Sequence, residues 1–195
     1  MGLHNIAVFC GSSIGFNNLY RDSAKELGEY FVQHKIGLVY GGAKIGLMGA
    51  ISNTMIEQGG NVIGIIPGLL EKEEVINKEA SEVYVTKTMS ERKMKMSQMV
   101  EAYIALPGGY GTLDELFEVL TLQQLYIETK PVGILNVNGF FDHTIKQLDF
   151  MVEEGFLKPD NRKMLLVDET VNGLMEKIKN YKAPEKSNII NKVVR

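Results

Sequence analysis

Short apolar runs alternate along this chain with longer stretches in which apolar residues recur every three or four positions. The runs at 5–10 (NIAVFC), 37–40, 61–65, 103–106, 131–136 and 164–167 predict strands, with a smaller one at 83–86. Runs of this length bounded by Gly, Pro or Asn suit strands buried on both faces. The segments 18–34, 47–58, 91–100, 112–126, 140–153 and 171–179 carry helical spacing and predict amphipathic helices between the strands. Pro67 and Gly68 are expected to end the third strand, since proline fixes φ and removes a donor. The charged stretch 71–81 predicts an irregular surface excursion. Ser90 is placed as the N-cap of the helix that follows.

Strand and helix in strict alternation imply a mainly parallel sheet covered by helices on both sides, an α/β fold of the doubly wound kind. No linker divides the chain and no repeat is visible. One domain over residues 1–180, followed by a basic tail at 181–195, is the expected organisation. Such sheets bind ligands beyond the carboxyl ends of their strands, where the strand order reverses. Polar, glycine-rich segments follow three strands here: CGSSIG, YGGAKIGLMG and PGGYGT. Their expected convergence on one edge marks a site more firmly than any single turn.

At 195 residues the chain can bury a sizeable core, and a composition 45% hydrophobic and 23% charged is that of an ordinary globular protein. A net charge of −3 argues against an extended nucleic-acid face. The start MGLHNIAVFC lacks the basic region and apolar run of a secretory leader, and no stretch is long enough for a membrane span. A cytoplasmic location, with no membrane partner, is the expectation. The single cysteine, Cys10, excludes an intrachain disulfide and reads as a buried structural thiol. His4, His34 and His143 are scattered, so no metal site is expected.

Two nucleotide-enzyme fingerprints are missing. The first turn, Gly11-Ser12-Ser13-Ile14-Gly15, does not match the glycine pattern of a dinucleotide site, and the second strand ends Tyr40-Gly41-Gly42 without the carboxylate that holds a ribose. Lys44 lies in GGAKIG with no Ser or Thr placed for phosphate and magnesium.

The candidate chemistry lies in residues 89–115. Gly108, Gly109 and Gly111 let the backbone approach a ligand closely, and the helix after them offers free N–H groups and a positive dipole end to a phosphate. Thr112 either caps this helix, forming a capping box with Glu115, or adds its hydroxyl to the anion. On the other side of the strand, Arg92 and Lys93 stand in a first turn, the unfavourable end of a helix dipole for cations. A bound anion or a nearby carboxylate would reverse that balance. Asp114 and Glu115 are about 100° apart on a helix, so they cannot serve one site equally. Asp114 is expected at the periphery, and Glu115 is the candidate to activate water or to stabilise positive charge on a sugar. This supports hydrolysis of a ribose–base bond in a 5'-phosphorylated substrate.

The segments 42–49 (GAKIGLMG), 89–93 (MSERK) and 107–115 (PGGYGTLDE) resemble the LONELY GUY family, whose members are often labelled lysine decarboxylases. The resemblance runs from the CGSS turn to about Val167. It implies a Rossmann-like homodimer that hydrolyses cytokinin riboside 5'-monophosphates, or AMP, to free base and ribose 5-phosphate, without a cofactor. Residue by residue it implies Arg92 and Glu115 as the catalytic pair. It implies a substrate-binding set of Ser13, Gly42, Glu74, Arg92, Lys93, Gly108, Gly109, Tyr110, Gly111, Thr112, Leu113, Asp114, Glu115 and Thr121. Many members carry His where this chain has Ser90. No lysine sits in a pyridoxal-phosphate setting. The alternative in another class is a non-catalytic nucleotide-binding or carrier protein using the same anion loops.

Overall fold

The first strand, β1 (Asn5–Phe9), shows how the core is assembled. Ile6 and Val8, with Cys10 just past the strand end, join the apolar cluster on one face, while Ala7 and Phe9 join the cluster on the other. A strand buried on both faces has no polar alternation, hence its unbroken apolar run. The computed structural model describes residues 2–68 and 76–183.

With β2 (Gly37–Tyr40), β3 (Val62–Pro67), β4 (Glu82–Thr86), β5 (Ala102–Ala105), β6 (Val132–Leu135) and β7 (Leu165–Asp168), β1 forms one parallel sheet in the order β4-β3-β2-β1-β5-β6-β7. Helices α1 (Asn18–Gln33), α2 (Gly46–Glu57) and α7 (Val171–Lys179) contribute the buried side chains on one face. Helices α3 (Met89–Gln98), α4 (Tyr110–Gln124) and α5 (Asp142–Glu153) contribute those on the other. A short helix, α6 (Pro159–Arg162), precedes β7. Fully enclosed side chains such as Phe31, Leu38, Ile51 and Ile65 contribute about 1.5–3 kcal/mol each. The sequence expectation of an α/β, doubly wound sheet is borne out, and all the strand pairings are parallel.

Several boundaries differ from expectation for local reasons. Strand β3 continues through Pro67, which stands opposite Thr86 at the last register position, where a missing N–H costs least. Helix α3 starts at Met89, and its N-cap is Thr88 rather than Ser90: the Thr88 hydroxyl accepts from Glu91 N at 3.1 Å, and Glu91 Oε2 accepts from Lys87 N at 2.9 Å. Helix α4 starts at Tyr110, with Gly109 at the cap position and no side-chain capping bond. The Thr112–Glu115 capping box, one of the two readings of Thr112, therefore does not form. Residues 71–75 of the expected excursion at 71–81, and the tail beyond 183, lie outside the described residues.

The chain builds β1 to β4 outward in one direction, then returns to place β5 on the other side of β1. That reversal opens a crevice beyond the ends of β1 and β5. Hydrogen bonds tie the three glycine-rich segments together there: Gly11 N donates to Pro107 O at 3.0 Å and Leu47 N to Gly11 O at 3.0 Å.

Candidate active site

The crevice holds a cavity of about 480 Å³, lined by Cys10, Gly41, Ala43, Met89, Arg92, Asp114, Glu115 and the turn from Gly109 to Thr112. The first turn of α4 opens into it. Because no side chain caps this end, its leading N–H groups are available to an anion, and the helix dipole adds positive potential there.

The glycines of this turn divide into two kinds. A Cβ on Gly108 would stand 2.0 Å from Thr112 Oγ1, so Gly108 is fixed by the close approach of Thr112. A Cβ on Gly109 or Gly111 would meet nothing within 4 Å, and neither has a positive φ. These two are not required by the turn itself, and they leave space open where a ligand would lie. Thr112 is buried and lines the cavity, while Tyr110 stands exposed at its rim.

Arg92 reaches the cavity from α3. It is 8% exposed, its Nε donates to Ile65 O at 2.9 Å, and its Nη1 donates to Glu115 Oε1 at 2.5 Å. These bonds use two of the five guanidinium donors. Gly41 makes this placement possible, because a Cβ there would stand 2.8 Å from Arg92 Nη2. Sequence reasoning did not single out Gly41; the signal was the double glycine closing β2, which was read only as part of a glycine-rich segment at the ligand-binding edge. Cys10 is buried as expected, and it also lines the cavity. Burial, with Glu115 adding to it, pushes its thiol pKa far up and keeps it protonated.

Glu115 is 9% exposed. Burial drives its carboxyl pKa above the ordinary range, and Asp114 adds to the rise; the charge and hydrogen bond of Arg92, with the charge of Lys93, oppose it without cancelling it. The result is a carboxyl that holds its proton more tightly than a solvated glutamate, beside a permanent cation.

Lys93 takes a different place from the one expected beside Arg92. Its Nζ pairs with Asp114 Oδ2 at 2.7 Å and with Glu118, and it borders a neighbouring cavity between α3 and α4 rather than the one holding Arg92. Burial alone would lower its pKa, but the bonds and charges of the two carboxylates raise it. Both first-turn cations thus find carboxylate partners on α4. Asp114 is 60% exposed at its side chain, in keeping with a peripheral role.

Other expected residues scatter. Ser13 borders an adjoining cavity of about 310 Å³ on the far side of the Pro107–Gly109 turn, where its hydroxyl accepts from Gly15 N at 3.2 Å. Gly42 sits at φ 79° behind the lining, its carbonyl accepting from Asn77 N at 2.9 Å. Leu113 packs against the core cluster on its face of the sheet. Thr121 bonds Phe117 O at 2.7 Å and borders a separate surface cavity with Leu148 and Arg162. Glu74 lies outside the described residues. Among the described residues no group of three or more His, Cys, Asp or Glu could hold a metal, and no helix is long and apolar enough to cross a membrane.

Residues 48–178 match the family described as possible lysine decarboxylase. The chain belongs to this family, the LONELY GUY family. Among its relatives, a cytokinin riboside 5'-monophosphate phosphoribohydrolase of Oryza sativa subsp. japonica is 46% identical over 176 residues, spanning 90% of this chain and 73% of the relative. One of Arabidopsis thaliana is 42% identical over 189 residues, spanning 97% of this chain and 88% of the relative. The molybdenum cofactor binding protein of Rippkaea orientalis superposes with a TM-score of 0.68 at 21% identity, covering 90% of this chain and 95% of its own. The Moco carrier protein of Chlamydomonas reinhardtii superposes with a TM-score of 0.66 at 22% identity, covering 90% and 95%. At such identities these two likenesses establish the fold alone.

Proposed function

We propose that this LONELY GUY family member hydrolyses the N-glycosidic bond of a nucleoside 5'-monophosphate, either a cytokinin riboside 5'-monophosphate or AMP. The observation that carries the reading is the buried Arg92–Glu115 pair beside the uncapped N-terminus of α4, in one cavity. Relatives 42% and 46% identical across most of this chain bear the phosphoribohydrolase name. The 5'-phosphate rests on the N–H groups of the first α4 turn, in the space left by Gly109 and Gly111. The ribose then lies over Glu115. As the bond from the anomeric carbon to the base nitrogen breaks, its electron pair leaves with the base, which takes up a proton. Glu115 stabilises the cationic sugar or draws a proton from the water that adds to the anomeric carbon. Arg92 orients Glu115 and favours its charged form against the burial that raises its pKa. No step calls for a metal or cofactor.

Glu74, Thr121, Ser13, Gly42 and Leu113 belong to the proposed substrate contacts through the family resemblance. A second copy of the chain is the proposed partner: Phe117, Leu125 and Ile127 expose apolar surface on and just after α4. The proposal places the protein in the cytoplasm, with 1–180 as a single nucleotide-binding domain, 181–195 as a basic tail, and neither nucleic acid nor membrane as a partner.

The test is chromatography of the products from a panel of nucleoside monophosphates, with unsubstituted protein and Glu115→Gln. Free base and ribose 5-phosphate from the former, and none from the latter, are expected. Tight nucleotide binding with no base released over a long incubation would select the carrier reading instead.

A further inference from the structure

The helices that carry Arg92 and Glu115 flank an open, largely apolar pocket. Between α3 and α4 lies the second cavity, about 250 Å³, bounded by Phe9, Met96, Tyr103, Val119, Leu122 and Ile127. Across this pocket the two helices make no direct dispersion contacts. Both helices are seated on the sheet by Met96, Leu116 and Val119, and polar contacts at the two ends of the pocket join them to each other and to the sheet. One end is the catalytic pair itself, with Lys93 held by Asp114 and Glu118.

The other end is a network on Glu128, just past α4. The Tyr103 hydroxyl donates to Glu128 Oε2 at 2.6 Å and lies 2.8 Å from Ser97 Oγ on α3, and Ser97 Oγ is 3.1 Å from the same carboxylate oxygen. Lys130 Nζ donates to Glu128 Oε2 at 2.9 Å and to Ser97 O at 2.7 Å. Thr129 N and Lys130 N donate to Glu128 Oε1 at 2.8 and 3.2 Å. The Tyr103 ring is fixed in the sheet, stacked on Phe9 with centroids 5.9 Å apart.

We propose that Ser97, Tyr103, Glu128 and Lys130 form a clamp that positions the catalytic pair: they fix α3 against α4 and so set how Arg92 meets Glu115. The inference rests on the reading of that pair given above. None of the four touches the reacting atoms; they act through the helices. Loosening the clamp lets the guanidinium drift from Glu115, whose other charged or titratable neighbours are Lys93, Asp114 and Cys10. The carboxyl pKa then rises further, because the largest influence lowering it has weakened.

Tyr103→Phe keeps the ring and removes only the hydroxyl, and Glu128→Gln keeps the shape and removes the charge. With AMP as substrate, each variant is expected to lower kcat by about 10- to 100-fold with little change in KM. The carboxyl-carbon NMR titration of Glu115 is expected to move to higher pH in both. Folded variants with unchanged kcat and an unchanged Glu115 titration would overturn the clamp, whatever their Tm. If the unsubstituted protein releases no base, the proposed function fails, while the Glu115 titration still decides the clamp. Should Tyr103→Phe not fold, Glu128→Gln carries the same two readouts.

Discussion

Glu115 and Glu128 are equally buried, at 9% and 8% exposure, yet their carboxyls are driven in opposite directions. Burial raises both. At Glu128 it is overcome by hydrogen bonds from Tyr103, Lys130 and the Thr129 N–H, together with the Lys130 charge. At Glu115 the bond and charge of Arg92 fall short, and Asp114 pushes further upward. More donors at Glu128 and heavier desolvation at Glu115 separate a carboxylate favoured in its charged form from one left under-partnered and facing a cavity. The first is suited to holding structure; the second is suited to chemistry.

The sharpest way to break the comparison is at the donor side of Glu115. Arg92→Ala is expected to lower kcat/KM for base release from AMP by about 10²- to 10⁴-fold, read from steady-state rates. Truncating each carboxylate then compares their structural weight by urea unfolding. Glu115→Ala strands the buried Arg92 without its counter-ion and should cost about 3–5 kcal/mol. Glu128→Ala leaves the Tyr103 hydroxyl without its acceptor and should cost about 1–3 kcal/mol.

A pH series separates the two by sign. The lowered Glu128 pKa contributes stability that is present above the ordinary value of 4.5 and is lost as pH falls through the folded value. The raised Glu115 pKa does the reverse: its cost is absent below 4.5 and grows as pH rises through the folded value. As pH climbs from acid, unsubstituted protein should therefore gain on Glu128→Gln and lose ground to Glu115→Gln. Two curves of the same slope would remove the contrast. The smallest effect is expected at Asp114→Asn, under about 1 kcal/mol by thermal melting, because that carboxylate is exposed and Lys93 keeps Glu118.

Much of the fold was legible because burial on both faces writes an unbroken apolar run, as in β1, and glycines cluster where loops crowd at the strand ends. The site was legible as far as residue types demand it: cations in a first turn of α3, an anion turn opening α4, and a family resemblance naming Arg92 and Glu115. The cap readings of Ser90 and, as one of two alternatives, of Thr112 failed for one reason. Any hydroxyl near a helix start reads as a cap, but the cap is set by where the chain turns into the helix, at Thr88 and at Gly109. Gly41 carried no mark of its task, since the space it leaves is filled by a side chain 51 positions later.

The sequence by itself determined the alternation of strands and helices, the parallel sheet and the convergence of three glycine-rich loops. These follow from local burial patterns and from backbone requirements, which neighbouring residues decide. The tertiary structure decided that Lys93 turns from the Arg92 cavity to two carboxylates and that Glu128 meets Ser97 and Tyr103. It also decided that the carboxyls of Glu115 and Glu128 shift oppositely. Desolvation and hydrogen bonding depend on which distant segments the sheet order brings within about 3 Å, and residue type and spacing do not specify that distance.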